Sequence, residues 1–334
     1  MNPKNVVILG ATGAVGLEMI RVLEDRDFPV RKLRLLASKR SAGRFLKFKN
    51  ERVRVEAVSS NSFDGMEIGL FSAGSAVSKA YAPVAASKGC VVIDNTSAFR
   101  MDKKTPLVVP EVNPHALRGH HGIIANPNCS TIQLVVAVKP LHDIARAKRI
   151  VVTTFQSVSG AGLRAEKELA DESLAVLSGR KYNRKIFPYQ IAFNAIPQIP
   201  QSDAFMKDGF TVEERKMMDE TLKILEDRNI DVCATCVRVP VFRCHSESVN
   251  VEFARPIPVQ AAREALASAE GVVLLDEPQN QLYPLATTAA GLDATFVGRV
   301  RKDPSAKNAI AFWVVSDNLR KGAALNAVQI AEIL

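Results

Sequence analysis

NVVILGATGAVGLEMIRVLED, residues 5–25, runs from a short apolar stretch through Gly10, Gly13 and Gly16 into a segment whose apolar residues recur at spacings of three and four. The first part reads as a buried strand and the last as an amphipathic helix. Glycines at that junction permit a tight turn and a close backbone approach, while the unpaired amides of the helix start offer donors to a pyrophosphate. A glycine triplet alone is weak evidence; between a strand and a helix it marks a dinucleotide site.

The same texture continues through the first 130 residues. KLRLLAS (32–38), RVRVEAV (52–58), IGLFSAG (68–74), CVVIDN (90–95) and GIIANP (122–127) read as strands, and residues 15–23 and 77–86 as crossover helices. Strand and helix in alternation imply an α/β unit with a doubly wound parallel sheet of Rossmann type. After residue 150 longer β-rich runs take over, RIVVTTFQSVS, DVCATCVRVPVF, ESVNVEFARPI and NAIAFWVV, with helical stretches at 213–225 and 260–269. These imply an α+β second domain with helices on one side. From about Gly322 the chain is helical again. The expected boundaries are 1–127 for a nucleotide-binding domain, completed by 316–334, and 128–315 for a catalytic and dimerisation domain.

Length and composition bound the function. The chain has 334 residues, 47% hydrophobic and 24% charged, as expected of an ordinary folded protein of two domains. No apolar stretch approaches the roughly 20 residues that span a bilayer, and no cleavage site follows the first strand, so a cytoplasmic protein without a membrane partner is expected. Five cysteines in a long chain do not read as a disulfide framework, which fits a reducing compartment. The net charge is +9, with ten Lys or Arg and only Glu51 as an acid between Arg31 and Arg54. That segment lacks the interleaved aromatics that stack on single strands, so nucleic acid is not expected; most of it reads as a solvated face.

The second strand ends in Ser38, Lys39, Arg40 and Ser41. An NAD site would carry a carboxylate there for the ribose hydroxyls, about 20 positions beyond the glycines. Hydroxyls and a guanidinium suit a ribose 2′-phosphate instead, so NADP(H) is the expected cofactor, with Arg40 as one more solvated cation the competing reading.

ANPNCSTIQ, residues 125–133, sets Cys129 between an Asn-Pro-Asn corner and the start of a helix-like run. A free cysteine is more often a small buried hydrophobe. A helix N-terminus, however, favours the thiolate, and the corner exposes the residue after it. Cys233 and Cys236 form a CxxC with no second pair at zinc spacing, and no metal site is expected. Cys90 reads as core, and Cys244 as a loop residue. Of the histidines, His245 follows a long strand, with Arg238 seven residues earlier as a fixed cation suited to a carboxylate. An ordinary loop histidine is the competing reading for it.

Taken in order along the chain, GATGAVG, ASKRSAG, FSAGS, DNTSAFRM, VPEVN, NPNCSTIQ, FQSVSGAG, FNAIPQI, EERKM, RVPVFRCHSES and DNLRKGAALN resemble the aspartate-semialdehyde dehydrogenase family. The resemblance implies an NADP-dependent phosphorylating aldehyde dehydrogenase that reduces L-aspartyl-4-phosphate to L-aspartate 4-semialdehyde and phosphate, in lysine, threonine and methionine biosynthesis. It implies Cys129 as the nucleophile, His245 as general acid and base, and Gln156 as the residue orienting substrate and thioester. Arg100, Asn128 and Lys216 would hold phosphate, and Arg238 with Glu213 the amino-acid end. Gly10, Thr12, Gly13, Ala14, Val15, Gly16, Ser38, Arg40, Ser41, Ser159, Gly160 and Asn318 would contact NADP(H). A homodimer or homotetramer is implied.

Two positions depart from the family pattern. Cys244 stands where many members have Gly before the histidine, and Ser75 takes the second glycine position of FSAGG. Both keep a small residue, so a change in loop geometry without loss of activity is expected. The rival readings are another acyl-phosphate reductase, such as N-acetyl-gamma-glutamyl-phosphate reductase, whose nucleophile follows Pro-Gly, or a non-catalytic NADP-binding relative, expected to have lost Cys129, Gln156 or His245.

Overall fold

The computed structural model describes residues 2–334, which form two compact units. One ends at Asn128 and takes back Gly322–Leu334; the other is Cys129–Lys321. The return to the first unit thus comes six residues later than the expected 316, and Asn128 belongs to the first unit.

The first unit contains β1 (Lys4–Leu9), α1 (Ala14–Asp25), β2 (Val30–Ala37), β3 (Phe45–Phe48), β4 (Glu51–Ala57), β5 (Ile68–Phe71), α2 (Ser75–Ser87), β6 (Val91–Asp94) and β7 (Ile123–Ala125). Its sheet has the order β3-β4-β2-β1-β5-β6-β7, parallel throughout except for β3 against β4. The chain leaves β1 towards β2 and β4, then crosses to β5 on the other side. The strand order therefore reverses between β1 and β5, where such sheets bind their ligands, and the GATGAVG turn sits at the end of β1.

Val6, Val7, Ile8 and Leu9 are fully buried, because both faces of a parallel sheet are covered. Full burial of each such side chain contributes about 1.5–3 kcal/mol. The C-terminal helix Leu325–Ile333 fills the same core with Leu325, Val328 and Ile330. It also supplies Asn326, whose Nδ2 donates to Asn126 Oδ1 at 2.6 Å and to the Val108 carbonyl at 3.0 Å; Asn126 Nδ2 in turn donates to Asn95 Oδ1 at 2.9 Å. This buried amide ladder pins the Asn126-Pro-Asn corner that leads into Cys129.

Strand β3 was not expected. Its four residues, FLKF, are too short and too charged to show a period, and antiparallel pairing with β4 is what makes them a strand. The basic run is largely this hairpin edge, with Arg52 lying over the Phe45 ring at 4.8 Å. Charges on an edge strand discourage pairing with another chain.

The second unit contains α3 (Cys129–Ala145), β8 (Ala147–Gln156), α4 (Leu163–Leu177), α5 (Val212–Leu225), β9 (Asp231–Arg238), β10 (His245–Phe253), α6 (Val259–Ser268), β11 (Val272–Leu274), α7 (Ala286–Ala289), β12 (Thr295–Lys302) and β13 (Ala309–Ser316). Its mixed sheet has the order β11-β12-β13-β10-β8-β9. Helices α3, α5 and α6 pack on one face, as the long strands implied. On β10 the residues alternate between buried and partly exposed, His245, Glu247, Val249, Val251 and Phe253 facing those helices. Helix α4 and strands β11 and β12 were not expected. His245 is not in a loop after a strand: it is the first residue of β10, fixed by pairing with both β8 and β13.

Candidate active site

Register assembles the site in the second unit. Arg238 on β9 stands opposite Gln156 on β8, Gln156 opposite His245 on β10, and His245 opposite Ser316 on β13. Directly opposed residues of neighbouring strands point to the same face. Three residues spread over 90 positions of sequence thus form one row on the helix-covered side of the sheet.

Helix α3 opens with Cys129 over that face. Cys129 is half-buried, whereas Ser130 to Val138 behind it are all buried. The sulfur therefore stands at the accessible N-terminal end of a largely buried helix, where the dipole favours negative charge. Gln156 is positioned from the same helix: its Nε2 donates to Ser130 Oγ at 2.9 Å and approaches Glu213 Oε1 at 3.5 Å.

Helix α5 delivers Glu213 and Lys216. Thr211 caps it in a reciprocal box, Glu214 N donating to Thr211 Oγ1 at 3.2 Å and Thr211 N to Glu214 Oε2 at 2.7 Å. Glu214 Oε1 also accepts from the Cys236 backbone N–H at 2.9 Å, which locks the helix start to β9. Lys216 Nζ pairs with Glu213 Oε2 at 3.2 Å. Burial lowers the pKa of Arg238, while negative charge at Glu213 and Cys129 offsets that effect. Arg238 remains a guanidinium, and its Nη1 donates to the Ser157 carbonyl at 2.5 Å.

His245 is fully buried. Burial above all, and then the Arg238 charge, push its pKa down to about 3, against a smaller upward pull from Glu213. The Ser157 backbone N–H donates to Nδ1 at 3.0 Å, so the neutral ring carries its proton on Nε2. Among the described residues Nε2 has no partner. A Cβ at Gly160 would lie 3.4 Å from Nε2 and 3.2 Å from Arg238 Nη1, so the glycine keeps the space over both groups open.

Ser159 and Asn318 lie in the same unit, Asn318 Nδ2 donating to Ser159 Oγ at 2.9 Å, and Asn318 Oδ1 accepts from Cys244 N at 3.0 Å. Sequence reasoning missed Ser130 and Ser157. Each adjoins a singled-out residue, and adjacency was the available signal, but only the fold turns those neighbours into supports for Gln156 and His245.

In the first unit, Gly10 adopts φ +95, and a Cβ there would lie 2.4 Å from the Ser72 carbonyl oxygen. A Cβ at Gly16 would lie 2.2 Å from the Gly10 carbonyl oxygen. Gly13 caps α1 without any side-chain bond, leaving the first amides to a ligand. Thr12, Ala14 and Val15 complete this turn. A cradle that no side chain can fill, ending on open amides, fits a dinucleotide pyrophosphate. Ser38 and Arg40 are exposed beyond β2, and Ser41 is buried there, closing a turn through its N–H to the Ser38 carbonyl at 2.9 Å. Arg100 is buried, its Nε donating to the Asn126 carbonyl at 2.9 Å and Nη2 to the Asn95 carbonyl at 2.7 Å. Asn128 is buried immediately before Cys129.

Cys90, Cys236 and Cys244 are buried and Cys233 is exposed; none of the five cysteines is in a disulfide among the described residues. Three residues apart on β9, Cys233 and Cys236 face opposite sides of the strand. No helix among the described residues is long and apolar enough to cross a membrane.

Residues 5–120 match the semialdehyde dehydrogenase NAD binding domain, and residues 138–321 the semialdehyde dehydrogenase dimerisation domain. The aspartate-semialdehyde dehydrogenase of Aquifex aeolicus is 54% identical over 98% of this chain and 97% of its own. A structure of aspartate semialdehyde dehydrogenase II from Vibrio cholerae, complexed with ASA, superposes with a TM-score of 0.96 at 50% identity, covering 99% of this chain and 98% of that one. The enzyme of Candida albicans, solved with NADP, superposes at 0.76 with 25% identity over 99% and 98% of the two chains. With both units matched and full-length relatives near half identical, the chain belongs to the aspartate-semialdehyde dehydrogenase family.

Proposed function

We propose that the protein carries out the NADPH-dependent reductive dephosphorylation of L-aspartyl-4-phosphate to L-aspartate 4-semialdehyde through a thioester on Cys129. The observation that carries this reading is the cross-strand row Arg238–Gln156–His245 facing the helix start that bears the thiol. A thiol, a carboxylate-binding cation and a proton-bearing imidazole converge there.

The Cys129 sulfur, as thiolate, forms a bond to the acyl carbon. The bond from that carbon to the phosphate oxygen breaks, phosphate leaves with the electron pair, and a thioester remains. NADPH supplies the hydride that reduces the thioester carbon. The carbonyl then reforms, the carbon–sulfur bond breaks, and the thiolate is restored. Dividing the reaction at the thioester replaces one difficult step by two easier ones.

The roles of the side chains follow from their positions. Arg238 takes the α-carboxylate, with Glu213 facing the amino group, so that the reacting carbon is held against sulfur. Gln156 Nε2 orients the carbonyl, and the His245 Nε2–H donates a hydrogen bond to the oxyanion of each tetrahedral species while keeping its proton; such a donor is worth about 2.7–4 kcal/mol. Lys216 is the cation for the leaving phosphate in this unit, and Arg100 and Asn128 are assigned to phosphate in the first. The GATGAVG cradle holds the pyrophosphate, and Ser38, Arg40 and Ser41 the 2′-phosphate. A net positive charge suits three anionic ligands. A homodimer in the cytoplasm is the working form we infer, consistent with the dimerisation domain.

Full-length relatives of this name fit this reading, and the rival acyl-phosphate reductases do not share it. Purified protein should reduce NADP only with aspartate semialdehyde and phosphate both present. Cys129→Ser should fold and bind NADPH yet lose at least about a hundredfold in turnover, since a hydroxyl at its free pKa is the weaker nucleophile. Wild-type rates in that variant would refute the mechanism.

A further inference from the structure

One strand repeat below the site, the second row of the sheet holds a fully buried carboxyl that the reaction above does not use. Glu247 follows His245 by two residues on β10 and so points to the same face. It stands opposite Thr154 on β8, which stands opposite Cys236 on β9. The row beneath is apolar, with Val249, Val152, Ala234 and Phe312 all buried. Glu247 thus occupies the layer between the reacting groups and the core, where a leucine would otherwise be the expected filling.

Helix α3 presents a matching residue. Gln133 follows Cys129 by four positions, one turn along the same face of the helix. It too is completely buried, and its amide is within reach of the Glu247 carboxyl. Neither side chain has another outlet: both oxygens of Glu247 and both amide atoms of Gln133 lack a well-formed partner among the described residues. Burial raises the Glu247 pKa well above the ordinary carboxyl value, and Gln133 opposes that rise. A carboxylic acid retains one O–H to donate and one oxygen to accept, which matches a primary amide.

We propose that Glu247 and Gln133 are positioning residues whose side chains pair across the α3–β10 contact and fix the turn of α3 bearing Cys129 against the end of β10 bearing His245. Cys129 with Gln133 on the helix, and His245 with Glu247 on the strand, form two rungs of one ladder. The lower rung sets the upper. Apolar packing holds α3 on the sheet without a directional bond, and a paired carboxyl and amide add one.

The inference rests on the assignment of Cys129 and His245 as reacting groups. Its test reads Cys129 without turnover: alkylation of the Cys129 peptide by iodoacetamide as a function of pH, followed by mass spectrometry, beside kcat and KM. Glu247→Leu and Gln133→Leu should fold, since each replaces a buried polar group by an apolar one of similar size. Both should lose about tenfold to a hundredfold in kcat with little change in KM, as expected for a displaced reacting pair, and shift the alkylation midpoint. Glu247→Gln, an amide that still pairs with Gln133, should recover most of kcat and the wild-type midpoint.

Wild-type kcat and midpoint in folded Glu247→Leu would overturn the proposal, as would a folded Glu247→Gln variant as impaired as Glu247→Leu. If Glu247→Leu fails to fold, Gln133→Leu carries the same two outcomes. Full turnover in Cys129→Ser would instead refute the nucleophile assignment and leaves the alkylation profiles to judge the ladder separately.

Discussion

The backbone N–H of Ser157 donates a 3.0 Å hydrogen bond to Nδ1 of His245. A backbone N–H can only donate, so Nδ1 accepts and the proton of the neutral ring lies on Nε2, the nitrogen beneath Gly160. In the resting protein Nε2–H is therefore set to donate a hydrogen bond, and the ring holds no second proton. If the ring takes up a second proton at Nδ1, that nitrogen must release the Ser157 N–H, and Ser157 Oγ, 3.2 Å away, can then accept a hydrogen bond from Nδ1–H.

Burial of the same ring makes stability depend on pH. The folded pKa, about 3, lies below the ordinary 6.5, so between these values the unfolded chain binds a proton that the folded chain refuses. The contribution is intact above 6.5 and is lost as pH falls towards 3, by at most about 1.4 kcal/mol per pH unit. His245→Gln should show a shallower loss of unfolding free energy over that range, measured by urea titration at a series of pH values. An unchanged slope would contradict a neutral buried His245.

The glycines of the first turn are not equivalent. Gly16→Ala places a Cβ 2.2 Å from a carbonyl oxygen, a backbone atom that cannot swing aside. That variant should lose NADPH binding, by fluorescence titration, or fail to fold. Gly13→Ala meets its nearest atom at 3.4 Å and should retain binding to within a few-fold. Equal behaviour of the two would mean the turn is not the pyrophosphate cradle.

Arg40 is exposed beyond β2 and free to grip a phosphate. Arg40→Ala should weaken NADP by about 1.5–3 kcal/mol, roughly tenfold to a hundredfold, through loss of charged hydrogen bonds. Affinity for NAD, which has no 2′-phosphate, should hold. A parallel loss of both cofactors would assign Arg40 to the general basic surface.

Cys244 adopts φ 72, in the left-handed region, and its side chain is buried with Ala289 and Val315. A glycine would take that conformation without the cost of about 1–2 kcal/mol borne by a side chain. Cys244→Gly should keep full activity, with relieved strain and lost packing nearly cancelling in the melting temperature. Cys244→Val, β-branched at positive φ, should destabilise by about 1–3 kcal/mol. A well-tolerated valine would show the backbone to be more adaptable than its φ implies.

Much of the first unit was legible because its signals are local. VVILG before three glycines and an amphipathic helix names a strand, a turn and a helix within 20 residues or so. Cys129 could be placed at a helix start for the same reason. Strands β3, β11 and β12 were hidden, since each is short or interrupted by charge and gains its form only from its neighbour in the sheet. The strand that begins at His245 was read as starting at Glu247, because Arg243 and Cys244 mask the start of β10.

The sequence by itself determined the strand–glycine–helix turn and the thiol at the start of α3, through local periodicity and motif, while the other candidate site residues came from the family resemblance. Only the tertiary structure decided that Arg238, Gln156 and His245 share a row, that His245 carries its proton on Nε2, and that Glu247 and Gln133 lie one layer beneath. Strand register, tautomer and burial are set by partners distant along the chain, and a shift of one residue in pairing would turn the whole row to the other face of the sheet.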